Sequence, residues 1–313
     1  MNGLDLSERF YRASADELFE GMADIRARHA AGLVGEGSEC FGFDDALSRD
    51  HDWGPAFCIW LDADDFDAVG GLLQDRYDRI AARGFNGIAA RIDRARSTGV
   101  QRIGILRIDA FYAQLLRSGS LPSTLDEWRT LPESGLACAV NGRVFEDGLG
   151  RFTEMRSQLE AYYPEDIRLR KIANGCMHAA QAGQYNFIRQ SQRGEDVAAL
   201  QALAEFADAA MQIAYALAHR YRPFYKWAHR GLKDLGAFGS EVANRLDALL
   251  DAYRTGSWRT AASEIESLCV RIAEELRSQG LSKNADAFLI PHGIEVNAHI
   301  SDDAYRRSDL MSV

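Results

Sequence analysis

The chain has no paired cysteines. Its five, Cys40, Cys58, Cys138, Cys176 and Cys269, are scattered singly with no Cys-x-x-Cys spacing. That set is poor material for a disulfide framework or a zinc site and suits a reducing compartment. The seven histidines show no H-x-x-x-H or H-E-x-x-H spacing, which argues against a zinc hydrolase. No G-x-x-x-x-G-K-[ST] occurs, so a P-loop kinase is excluded. No strand leads into G-x-G-x-x-G, and neither Gly-x-Ser-x-Gly nor a Cys/His pairing supports a nucleophilic hydrolase. Apolar runs fall short of the roughly 20 residues of a membrane span, and MNGLDLSERFYRASADEL lacks the basic start and apolar core of a signal peptide. The expectation is a cytoplasmic protein. Positive charge is also in short supply: 36 Lys and Arg stand against 46 Asp and Glu, a net charge of -10. This argues against a broad grip on DNA or RNA, while leaving room for one local basic pocket.

What is present is an ordinary globular composition, 47% hydrophobic and 26% charged over 313 residues, enough for two domains. Phe10, Leu18, Met22 and Ile25 fall at helical spacing between Leu6 and Ala31, with Ser14 or Asp16 as N-cap. AAGLVGEGS reads as a short strand running into a turn. In PAFCIWLD, Phe57, Ile59 and Leu61 alternate with Cys58 and Trp60, a strand pattern, and Trp53-Gly54-Pro55 before it predicts a bulge, kink or edge. DDFDAVGGLLQDRYDRIAARG predicts a helix closed by Gly84. RIGILRID predicts a strand ending at Asp109, followed by a helical turn, and LACAVNGRVFED a short strand pair. Beyond Gly150 the pattern turns helical. Leu200, Leu203, Ala207, Ala210, Met211, Ala214, Leu217 and Tyr221 mark one long amphipathic helix, and 153–189, 239–254 and 257–280 are similar. The expected fold is an α/β (α+β) domain with a small mixed sheet over residues 1–155. An all-α helical bundle is expected over 156–313.

One stretch carries chemistry: GEGSECFGFDDALSRDHDWGPAFCIWLD. Gly37-Ser38 lets the backbone approach a phosphate, which the hydroxyl and amides can hold. Asp50 and Asp52, at i and i+2 on an extended segment, point to one face. They offer the paired hard oxygen ligands that suit magnesium on a nucleoside triphosphate. The competing reading is a polar turn. His51 would then face the other way, as a packing residue. Asp44 and Asp45 either orient metal water or cap a helix.

This Gly-Ser, spacer, Asp-x-Asp order resembles the polymerase-β-like nucleotidyltransferases. More narrowly, GSECFGFDDALSRDHDWGP resembles a bacterial subgroup known only as a domain of unknown function. GRVFEDGLGRFTEMR with YYPEDIRLRKIA, GQYNFIRQSQRGE and RYRPFYKWAHRGLKDL resemble it too, so the likeness runs from about Gly32 to Leu235. The resemblance implies transfer of a nucleoside monophosphate from a nucleoside triphosphate, ATP first, to a small-molecule or protein acceptor. Ser38 would hold the β- and γ-phosphates, and Asp50 and Asp52 would bind Mg²⁺, or Mn²⁺ in its place. The superfamily draws a third carboxylate from a later strand, here RIGILRID. The aligned position is near Gly104, which has none, so Asp109 is the candidate general base and Asp147 its rival. Tyr225, Lys226 and Trp227 belong to the subgroup's C-terminal signature. The lysine could neutralise a phosphate and an aromatic could stack on a base, or the cluster is a packing seam. Gln184 in GQYNFIRQ reads a base or acceptor, or caps a helix.

Two further readings come from other classes. The missing third carboxylate fits a catalytically weak nucleotide-binding or regulatory protein that keeps the fold. Arg222 and His229, spaced R-x6-H, match small all-helical ribonucleases of toxin–antitoxin pairs, although Pro223 interrupts the helix that pattern needs.

Overall fold

The computed structural model describes residues 2–47, 53–91, 101–118 and 120–312 and divides into two compact units. The first comprises 1–122 with 131–161, and the second 123–130 with 162–313.

In the first unit, helices α1 (Gly3–Leu18) and α2 (Ala23–Arg28) lead into strand β1 (Ala30–Leu33). Asn2 caps α1 by accepting from Asp5 N, so Ser14 and Asp16 lie inside this helix rather than at its start. Strand β2 (Cys58–Leu61) follows, then α3 (Ala63–Ala82), β3 (Gly104–Arg107) and α4 (Ile108–Leu116). Asp109 therefore sits in the first turn of α4, where a carboxylate complements the helix dipole, and not at the end of a strand. In the second unit comes the short helix α5 (Leu125–Thr130); α6 (Glu133–Ala139), β4 (Arg143–Asp147) and α7 (Arg151–Glu160) complete the first. The expected strand pair before Gly148 is thus a helix and one strand.

The sheet has the order β3-β2-β1-β4 and is mixed. β1 runs antiparallel to both β2 and β4, whereas β2 and β3 are parallel. Register fixes which ends meet. Leu33 at the end of β1 faces Arg143, Gly32 faces Cys58, and Cys58 faces Gly104, so the end of β1 adjoins the starts of the other three strands. The opposite edge gathers Ala30, Leu61, Arg107 and Asp147.

Both faces are covered, as the β2 alternation requires. Phe57 meets Phe10 and Tyr11 of α1 and Tyr77 of α3 at centroid distances of 5.2, 5.5 and 4.9 Å. On the other face Trp60 stacks on Phe152 of α7 at 3.9 Å and meets Phe111 of α4 edge-on at 5.3 Å.

The second unit is helical. After α5 it contains α8 (Glu165–Ala179), a π-helical stretch Ala180–Phe187 and α9 (Ile188–Arg193), which continue one another. Then follow α10 (Asp196–Leu217), α11 (Tyr225–Gly231), α12 (Gly236–Arg254), α13 (Trp258–Ser278), α14 (Leu289–Ala298) and α15 (Asp303–Arg306). Small residues let these helices approach: a Cβ on Gly175 of α8 would lie 2.6 Å from Ile213 of α10, and one on Gly293 of α14 3.0 Å from the Ala173 carbonyl. The buried face of α10 is Ala199, Ala202, Leu203, Phe206, Ala209, Ala210, Ile213, Ala214 and Leu217. Leu200, expected on that face, is exposed, because the Phe206 ring keys α10 against Gly183, where a Cβ would be only 2.3 Å away.

Candidate functional site

The Gly37-Ser38 turn leaves the end of β1 and is pinned on both sides. Asn141 grips Gly35 twice: its Oδ1 accepts from Gly35 N at 2.9 Å, and its Nδ2 donates to Gly35 O at 2.8 Å. Downstream, Gly142 N donates to Cys40 O at 2.8 Å, while Phe43 N (2.8 Å) and Phe41 N (3.2 Å) donate to Ser38 O. The carbonyl of Ser38 is therefore used internally. Among the described residues neither the Ser38 hydroxyl nor the amides of Gly37 and Ser38 make a hydrogen bond. A half-buried turn with its donors unspent can bind an anion.

Gly37 has φ +154°, and a Cβ there would lie 2.7 Å from a carboxylate oxygen of Glu39, so the backbone is pressed against that side chain. Glu39 is buried and paired with buried Arg91, Nη1 to Oε1 at 2.5 Å, with side-chain exposures of 8% and 5%. Burial raises the Glu39 carboxyl above its usual value, with the Arg91 charge pulling the other way. Asp44 accepts from Gly3 N at 2.9 Å, and Trp53 Nε1 donates to it at 3.4 Å. Of its two expected roles, capping is the one seen: it holds the first amide of α1. Leu47 N donates to Asp45 at 3.0 Å.

Asp50, His51 and Asp52 lie outside the described residues. The segment that follows them is described. Pro55 O accepts from Arg91 N at 3.2 Å, and a Cβ on Gly54 would lie 2.5 Å from Ala89 O.

The two candidate bases are not brought to the turn, a correction that follows from register. Asp147 pairs with Ala30 at the start of β1, and Asp109 lies beyond Arg107 at the same edge. Three residues of strand, about 10 Å, separate that edge from the turn. Both carboxylates are also engaged. Asp109 takes a two-point contact from Arg107 at 3.0 and 2.7 Å and accepts from Ala110 N at 2.7 Å, and the guanidinium holds its carboxyl below the usual range. Asp147 accepts from Thr153 N at 2.8 Å, in the first turn of α7. Position 104 is closed to a carboxylate as well. Gly104 has φ +89°, and a Cβ would lie 2.7 Å from the Oε1 of Gln74, which accepts from Ile105 N at 2.9 Å.

The remaining candidates belong to the second unit. Gln184 lies in the π-helical stretch and is spent on structure: its Nε2 donates to Glu266 (2.8 Å) and to Ala287 O (3.1 Å), and its Oε1 accepts from Leu289 N at 3.0 Å. Tyr225 opens α11 and is 76% exposed beside Phe224, and the ammonium of Lys226 lies 4.3 Å from the Trp227 ring centre. Arg222 precedes α11 and pairs with Asp208 at 2.8 Å; His229 lies 3.3 Å from Asp247. Arg222 and His229 thus each contact a different carboxylate.

Glu39 and Arg91 escaped the sequence reading. The one signal that could have found Glu39 is its position directly after Gly37-Ser38, whereas nothing local marks Arg91.

Residues 128–228 match a family described as a domain of unknown function, DUF4037. The matched span contains Asp147, Gln184, Tyr225, Lys226 and Trp227 and leaves out the Gly37-Ser38 turn. Neither the curated proteins nor the solved structures contain a match. Among the described residues no helix is long and apolar enough to cross a membrane.

Proposed function

We propose that this protein is a nucleotidyltransferase that moves a nucleoside monophosphate from a nucleoside triphosphate, ATP first, to an acceptor. The observation that carries the reading is the Gly37-Ser38 turn. Among the described residues its donors are unspent; its path is clamped by Asn141 and Gly142, and it stands at the sheet edge that adjoins the start of β2. Asp50 and Asp52 come shortly before that start in the sequence.

In this reading the Ser38 hydroxyl and the neighbouring amides hold the triphosphate, already oriented because the turn cannot relax. The donor set suits Mg²⁺: two aspartates separated by one residue are hard oxygen ligands, and the first follows Ser38 by twelve residues in the sequence. Bound there by Asp50 and Asp52, the ion would neutralise phosphate charge. An acceptor oxygen attacks the α-phosphorus in line and the bond to the β-phosphate breaks, releasing pyrophosphate.

A second reading, a nucleotide-binding protein with weak or no transfer activity, has its own support. Asp109 and Asp147 stand at the far edge of the sheet, and Gln74 occupies the space beside Gly104. Calorimetric titration with ATP, GTP, CTP and UTP and Mg²⁺, alongside an Asp50→Asn/Asp52→Asn variant, tests both. Metal-dependent binding lost in the variant, with pyrophosphate release in an acceptor screen, is the expected result. Binding without release across the screen favours the second reading, and no binding by folded wild-type protein overturns both.

A further inference from the structure

Glu39 is an odd neighbour for a phosphate. Its carboxylate fills the space where a Cβ of Gly37 would be, 2.7 Å away, so a negative group lies directly against the turn that the proposed function assigns to a triphosphate. On its other flank, a Cβ on Gly3 would lie 2.7 Å from Glu39 Cβ, so the side chain is wedged between the start of α1 and the turn. Left alone, a buried carboxylate here would repel the ligand through a poorly screening medium.

Arg91 removes that problem. Its guanidinium takes the Glu39 carboxylate at 2.5 Å, both groups buried, while its backbone amide donates to Pro55 O at 3.2 Å. One residue thus joins the turn at 37–39 to the segment that follows the Asp-x-Asp motif. It does so across 52 residues of sequence.

We infer that Arg91, through Glu39, is the positioning residue of the phosphate site. It neutralises the carboxylate beneath the turn and ties the turn to the Pro55 segment. This inference rests on the nucleotide reading above. A buried pair of this kind is a weak source of net stability, but removing one partner leaves an uncompensated charge. Its effect is therefore asymmetric. Loss of Arg91 leaves a bare negative charge under the phosphates. Replacing Glu39 by glutamine keeps the wedge and an acceptor for Arg91, and removes the negative charge.

The test measures MgATP affinity by calorimetry, with thermal unfolding in parallel, for wild type, Arg91→Met, Glu39→Gln and the Glu39→Gln/Arg91→Met double variant. Arg91→Met is expected to weaken binding by about thirtyfold. The double variant is expected to recover to within about fivefold of wild type, because the repelling charge is gone. Glu39→Gln alone should bind at least as tightly as wild type even where its unfolding midpoint falls. A purely structural role would instead make affinity follow stability in all three, with no recovery in the double variant, and that pattern overturns the inference. If Arg91→Met does not fold, Glu39→Gln decides: a tenfold or greater loss of affinity in that folded variant overturns it. Failure of wild-type protein to bind any nucleotide is seen before a variant is made, and it overturns the nucleotide reading together with this one.

Discussion

The guanidinium of Arg170 lies 4.7 Å from the centre of the Tyr305 ring, and the Arg170 side chain is fully buried. It donates to the carbonyls of Tyr305, Ser308 (3.3 Å) and Asp309 (3.1 Å), so a cation on α8 closes the last turn of α15. On the same face of α8, Asp166 accepts from Ser301 N and Asp302 N, and Asn174 donates to Leu310 O. Residues spaced by four thus hold the chain from 301 to 310 by its backbone. Arg170→Met should cost about 3 kcal/mol, because buried carbonyls lose a charged donor. Urea unfolding with unchanged cooperativity would measure it. A midpoint equal to wild type would mean that water replaces the guanidinium.

Glu165 grips Arg168 at two points, 2.8 and 2.6 Å, and this contact holds the Glu165 carboxyl below its usual value of 4.5. A carboxyl whose pKa falls on folding binds its proton more weakly in the native state. Its stabilisation is therefore complete above 4.5 and is lost as pH falls through the folded value. Asp166 opposes this shift, and His219 supports it. The Glu165→Gln variant should lose less stability than wild type when acidified from about pH 6 to about pH 3. Urea midpoints across that range give the comparison, and parallel curves would contradict it.

Gly183 sits in the π-helical stretch with no room for a side chain. A methyl there would meet the Phe206 ring at 2.3 Å. The Gly183→Ala variant should lose about 2 kcal/mol through overpacking. Added to Phe206→Leu, the same change should cost less than it does alone, since the obstructing ring is gone. Additive costs would show that the π-helical backbone, rather than the ring, resists the methyl.

Ser38 and Gln184 were both candidate ligand contacts, yet their surroundings predict opposite behaviour. Ser38→Ala removes a hydroxyl with no partner among the described residues, so it should leave stability unchanged and weaken MgATP binding about tenfold. Gln184→Leu breaks three internal bonds, so it should cost about 2 kcal/mol and leave affinity alone. Affinity and unfolding measured on the same preparations separate the two. Loss of affinity in folded Gln184→Leu would restore it as a contact residue.

What the sequence by itself determined is whatever depends on near neighbours. The alternation of Phe57, Ile59 and Leu61 with Cys58 and Trp60 announced a strand, because the side-chain period of two is a property of one strand. The helical spacing after Gly150 and the glycine at position 37 were readable for the same reason. Even there the limit showed. The periodicity identified α10 but put Leu200 on its buried face, since the rotation of a helix is set by what packs against it, here Gly183 beneath Phe206.

Only the tertiary structure decided how strand ends meet, and with that which residues share a site. Asp109 and Asp147 looked like rival bases in the sequence, yet the antiparallel register of β1 with β4 and the parallel register of β2 with β3 carry both to the edge opposite Ser38. Arg91 was invisible beside Glu39 because a buried ion pair between distant residues leaves no local pattern. Hydrophobic period is written residue by residue along the chain, whereas register and charge pairing arise only when separate segments find one another.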